Sequence, residues 1–152
     1  MSAQTSYSIN QRIAVAGTIF DLNPYDNVSR DVETAAGIGF GLAVSRGTDE
    51  QRQVVVGGAA FLGLTVRALD REGAANTGLV SYSEKETAAI MRSGYIYAEC
   101  VSGCTAGDSA NYNTITGVID SGAAGAGEVL IEGATWETST AAGEIGVLRL
   151  SS

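Results

Sequence analysis

The chain has 152 residues, with 9 basic and 17 acidic side chains, a formal net charge of −8 and no His. That charge repels a phosphate backbone and an anionic membrane surface, so direct nucleic-acid binding and membrane association are not expected. Without His, the commonest general base and transition-metal ligand is missing, and no apolar run reaches the ~18 residues a membrane helix needs.

Residues 1–12 (MSAQTSYSINQR) are polar and aperiodic, and they lack the basic-then-apolar order of a secretory signal. They are expected to form an extended N-terminal arm, with residues 13–152 as a single β domain. In the segment from Ile13 to Phe20, Ile13, Val15 and Ile19 fall on one face of a strand. Asp21 to Thr34 is charged and turn-rich, with Asn23-Pro24 as a turn signal. Phe40, Leu42 and Val44 then alternate with small residues, and Arg46 to Asp49 reads as a turn. Gln53 to Val56 is a short Val-rich strand closed by Gly57-Gly58, and Leu62, Leu64, Val66 and Ala68 share the face of the next strand.

Thr87 to Cys100 reads as two strand pieces joined near Ser93-Gly94, with Tyr95 and Tyr97 on one face. Ser83 and Glu86 fit a capping box, but the run after them supports at most one helical turn. Ile115 and Ile119 are expected on one strand face, followed by a low-complexity loop, SGAAGAG. Val129 and Ile131 are expected to face opposite to Leu130, Ala134 and Trp136, and Ile145 to Leu150 is a last strand. Short segments with Gly punctuation every dozen or so residues predict an all-β fold, a compact β-sandwich or jelly-roll-like barrel.

Candidate chemistry is thin. Cys100 and Cys104 form a C-x-x-x-C pair without the further ligands that zinc needs, and read as small, partly buried thiols flanking a turn at Ser102-Gly103, with a local disulfide as the alternative. Gly37 to Gly41 lacks phosphate-loop spacing and precedes a strand, so its glycines read as sites of close strand approach. The carboxylates sit mostly in turns, and neither a hydrolase pair nor a calcium loop is specified. No catalytic residue, metal or cofactor is expected. Of the large amphipathic side chains, Tyr95, Tyr97 and Trp136 read as rim-of-core packing, whereas Tyr7 and Tyr25 lie where no core is predicted.

Four stretches, in order, resemble the structural cement, or head-decoration, proteins of tailed double-stranded DNA bacteriophages. Residues 37–49 (GIGFGLAVSRGTD) are similar to the family's I-P-F-G-x-A-V-x-x-G-T element, and residues 61–67 (FLGLTVR) to its F-x-G-I-A-x-R strand. Residues 89–108 are similar to V-x-R-x-G-x-V-W-V followed by V-x-x-G-D-x-V-Y, and residues 136–150 (WETSTAAGEIGVLRL) to the C-terminal F-x-T-S-A-x-A-G-x-L-A-V-V-R-L. The chain departs from the pattern at Ile38-Gly39, where the family often has Ile-Pro, and in its Cys pair.

The resemblance implies a non-enzymatic virion protein on the outer surface of an icosahedral head, present in the host cytoplasm during assembly. Its implied partner is the major capsid protein, whose neighbouring subunits it bridges as a dimer or trimer in the expanded, DNA-filled shell. Capsid contacts are expected in the arm and first loop, at Tyr7, Ile9, Arg12 and Tyr25. The competing reading is a virion-surface carbohydrate-binding β-sandwich with Tyr95 and Tyr97 as its stacking platform.

Overall fold

The computed structural model describes residues 15–68 and 81–151, and no helix occurs among them. Eleven strands follow in order: β1 (Asp26–Val32), β2 (Ile38–Gly39), β3 (Ala43–Arg46), β4 (Gln53–Val56), β5 (Phe61–Thr65), β6 (Ser81–Tyr82), β7 (Thr87–Cys100), β8 (Ser109–Asn113), β9 (Ile119–Ser121), β10 (Glu128–Trp136) and β11 (Glu144–Leu150). Nine of them form one sheet in the order β1-β4-β3-β5-β7-β11-β10-β8-β9, and β1 also pairs with β7. That last pairing closes β1, β4, β3, β5 and the first half of β7 into a barrel, which removes the open edges a sheet would otherwise present.

The 14-residue β7 serves both halves of the molecule. Thr87 to Ser93 pairs with β1, and Gly94 to Cys100 pairs with β11. The expected joint near Ser93-Gly94 is therefore the point where partners change. It coincides with a register shift opposite Asp26/Asn27 and with Gly94 at φ 129°. Inside the barrel lie Val32, Val44, Val54, Leu62, Ala88 and Ile90, with Ile38 and Tyr82 from the small β2–β6 pair. The second core gathers Ile96, Ala98, Tyr112, Ile131, Trp136 and Leu148.

Several local expectations need correction. The turn-rich reading of Asp21 to Thr34 missed β1, whose sequence DNVSRDV holds only two apolar residues. It is a strand because β4 and β7 take up its backbone groups on both sides, not because of its own hydrophobic period. Among the described residues of the first segment, Ile19 makes only an isolated bridge to Ile96. Phe40 to Leu42 is a turn through Gly41 at φ 69°, and the strand begins at Ala43. Ile115 does not share a face with Ile119: it is 78% exposed at a turn, whereas Ile119 is buried.

In β10 the expected faces change phase. Ile131, Ala134 and Trp136 all point into the core and Leu130 points out. An irregularity between Leu130 and Thr135, with Gly133 at φ 72°, absorbs the extra residue. The Ser83/Glu86 pair forms the side-chain bond of a capping box, Ser83 N–H to the Glu86 carboxylate at 2.7 Å, but in a tight turn joining β6 to β7. Lys85 takes φ 65° there, which ends any helix.

Candidate functional site

Residues 17–20 run along the edge of the second half of β7 that β11 leaves free, with Ile19 packed against the core. The Gly17 N–H donates to the Tyr97 carbonyl (2.8 Å), the Tyr97 N–H to Thr18 (2.9 Å) and the Phe20 N–H to Tyr95 (3.0 Å). Gly17 is wedged: a Cβ there would meet the Phe40 Cβ at 2.8 Å and the Gly41 nitrogen at 2.9 Å. The Phe20 ring packs against Tyr97 (centroids 5.4 Å, near-perpendicular) and Tyr95 (6.4 Å). Tyr95 and Tyr97 do share a face, as expected, and are half-buried. With Phe20 against both rings, they do not stand open as a sugar-stacking platform.

The chain then leaves the sheet through an Asx turn. Asp21 accepts from the Asn23 backbone N–H (2.9 Å) and side-chain amide (2.6 Å), and Pro24 follows. This turn holds Leu22 outward, 96% exposed. Tyr25 comes next, half in solvent, its Cβ 2.7 Å from where a Cβ on Gly94 would stand. Immediately after it, Asp26 pairs with Arg92. Val15, Phe20, Leu22 and Tyr25 make up four of the seven large hydrophobics exposed among the described residues. That concentration in eleven residues makes this segment the candidate contact surface.

Of the sequence-predicted contact residues, Tyr25 belongs to this surface, whereas Tyr7, Ile9 and Arg12 lie outside the described residues. Phe20 and Leu22 were missed. Phe20 was read as strand, and the signal for Leu22 was a lone aliphatic between Asp and Asn-Pro.

The remaining candidate chemistry is structural. Gly37 and Gly41 have left-handed φ, and a Cβ on Gly37 would sit 2.5 Å from the Tyr82 carbonyl oxygen. No cluster of three metal-ligating side chains exists among the described residues. A cleft of about 340 Å³ beside the shared strands is lined by Arg46, Arg92, Asp26 and Glu132, whose charges cancel. Trp136 is fully buried.

Cys100 and Cys104 are both buried and unpaired. Burial, with the charges of Cys104 and Asp120 beside it, pushes the Cys100 thiol up to about 11, against a weaker opposing bond from Ser121. It is therefore protonated and unreactive at neutral pH.

Burial pushes the Asp120 carboxyl up, but bonds from the Ser102 hydroxyl and from the Ser121 and Ser102 N–H groups outweigh it and hold the group below its usual 3.8. A carboxyl lowered on folding stabilises the fold above its unfolded value, and that stability is lost as pH falls through the folded value. Asp120→Asn should therefore flatten the acid limb. Between pH 6 and 3 the denaturant midpoint is expected to fall less in the variant than in the parent.

The sequence family of structural cement proteins represented by E217 gp24 and Pam3 gp6 matches residues 3–151. No curated protein matches the chain in sequence. A chain in the solved capsid of Myoviridae phage XM1 shares the fold, with a TM-score of 0.75 at 14% identity, covering 99% of this chain and 98% of that one. With a match that spans nearly its whole length, the chain belongs to the phage structural cement protein family.

Proposed function

We propose that this protein binds the outer surface of an icosahedral phage head and cements neighbouring major capsid subunits, stabilising the expanded, DNA-filled shell. It acts there as a small homo-oligomer, a dimer or trimer, and performs no catalysis. The observation that supports this reading best is the run of exposed Val15, Phe20, Leu22 and Tyr25 on a segment anchored to β7. In free solution these side chains leave apolar area in water, and covering it on the shell returns roughly 25 cal/mol per Å² before the costs of association.

The arm continues this surface in sequence, and Tyr7, Ile9 and Arg12 are its proposed anchors. Arg12 supplies a cation on a protein of net charge −8, and the acidic remainder keeps the protein off packaged DNA. A repeating shell lets each oligomer engage several subunits, so modest contacts combine.

The test is co-sedimentation with expanded, undecorated heads, with unexpanded shells as control. Saturable binding to expanded heads alone is expected. Deleting residues 1–10, or combining Leu22→Ser with Tyr25→Ala, should weaken retention by about tenfold or more while leaving the unfolding midpoint nearly unchanged. Full-strength binding by both variants would refute the arm and first loop as the contact.

A further inference from the structure

We infer that the first half of β1 is a self-complementary edge through which two copies of this chain pair about a two-fold axis. Barrel closure stops short of it. β7 runs beside β1 from Asp26 to Asp31, but on the other side β4 reaches only Asp31 and Val32. The bonds at that end fix which way each residue points. The Val32 N–H donates to Glu86 (2.8 Å) and its carbonyl accepts from Lys85 (2.7 Å), both at the start of β7, whereas the Asp31 and Glu33 N–H groups donate the opposite way, to Arg52 (2.7 Å) and Val54 (2.9 Å). Alternation back along the strand turns the N–H and C=O groups of Arg30 and Val28 toward β7, and those of Ser29 and Asn27 away from it. No strand among the described residues lies there to receive them, and both residues are exposed.

The residues of this edge complement one another. In an antiparallel pair centred on Val28, Asn27 of one copy stands opposite Ser29 of the other, and each such pair exchanges two N–H···O bonds. Val28 then faces its own copy, and Asp26 faces Arg30, with Cβ atoms about 5 Å apart in such a pair. Asp26 is held in place by Arg92. The Arg30 guanidinium is drawn to the edge by its Nη1 bond to the Ser29 carbonyl (2.8 Å), and its Nε is buried with no hydrogen-bond partner among the described residues. The Asp26 carboxylate of the other copy supplies that partner. Centring the pair on Ser29 instead sets Asn27 against Asp31, whose N–H is already taken by Arg52, and leaves both charges facing Val side chains. An edge that pairs with itself makes a closed two-fold dimer and not a trimer. The proposed homo-oligomer is thereby narrowed to a dimer, by a property of the free protein that stands or falls apart from shell binding.

Sedimentation velocity of the full chain is the test, from about 1 to 100 µM, the range expected of so small an interface. The parent should pass from monomer to dimer. Ser29→Pro removes an outward N–H without touching a β7 bond and should weaken association about tenfold or more, whereas Ser29→Ala keeps the main chain and should associate like the parent. Arg30→Asp alone and Asp26→Arg alone set like charges opposite each other and should stay monomeric. An equimolar mixture of those two variants should form the heterodimer, because every Asp then meets an Arg. Should Ser29→Pro not fold, that mixture decides. A parent that stays monomeric at the highest concentration or forms a trimer would overturn the proposal. So would Ser29→Pro dimerising as tightly as the parent, or the two charge variants staying apart when mixed.

Discussion

Trp136→Ala is expected to destabilise the protein by about 4 kcal/mol, read as a lower urea midpoint with an unchanged slope. Trp136 ends β10 with no exposed surface, in the core that holds Tyr112, Ile131 and Leu148. A Cβ on Gly146 of β11 would lie 3.2 Å from the indole ring, so that strand passes directly over it. The backbone there is independently fixed: the Trp136 N–H donates to Asp108 at 2.9 Å and its carbonyl accepts from Gly107 at 2.7 Å. Truncation leaves these bonds in place, so the walls cannot close on the void, and the cavity cost adds to the lost burial. The indole N–H bond to the Asp120 carbonyl is long, 3.4 Å, and contributes little by comparison. Leu130 of the same strand points outward, and Leu130→Ala is the control, expected to change stability by no more than about 0.5 kcal/mol.

What the sequence discloses depends on where each strand gets its partners. β4 and β5 were legible as strands because Val54, Leu62 and Leu64 are buried between turn residues, but the register shift opposite β5 sends Leu62 into the barrel core and Leu64 into the other, so they do not share the expected face. β1 was not, because Asn27, Ser29 and Asp31 face solvent and the strand is held by neighbours far away in sequence. Barrel closure rests on that strand, so it too was hidden, although the all-β class was not. A period of two also cannot register a slipped residue, which is why the Gly133 irregularity separates Leu130 from Ala134 and Trp136, expected on one face. The site shows the same division. Tyr25 was readable as an aromatic outside any core, whereas Phe20 sat in an apolar run that looked like strand. Only the hydrogen bonds of residues 17–20 to Tyr95 and Tyr97 reveal that this run pairs with the free edge of the second half of β7, with the Phe20 ring half in solvent.

The close passage of β5 across β7 suggests the second large effect: Gly63→Ala should cost about 3 kcal/mol. Gly63 has no left-handed φ, so the residue is not needed for its backbone conformation. The constraint is space. A Cβ there would sit 2.2 Å from the Met91 carbonyl oxygen, 2.9 Å from its carbon and 2.8 Å from the Ile90 Cγ2. Met91 cannot retreat, because β7 is paired at that point with Leu64 on one side and Asn27 on the other. Relief requires β5 to move off β7, which opens the barrel at its shared strand. Gly107→Ala separates this effect from ordinary glycine strain: its φ is 99° but nothing lies within 4 Å, so a cost of about 1 kcal/mol is expected. If the two variants lose equal stability in denaturant titrations, close approach is not what selects glycine at position 63. Amide exchange should accelerate in β5 and in Thr87 to Ser93 of β7 for Gly63→Ala alone. Because the second half of that same strand seats residues 17–20, Gly63→Ala should also weaken binding to expanded heads, and Gly107→Ala should leave it intact.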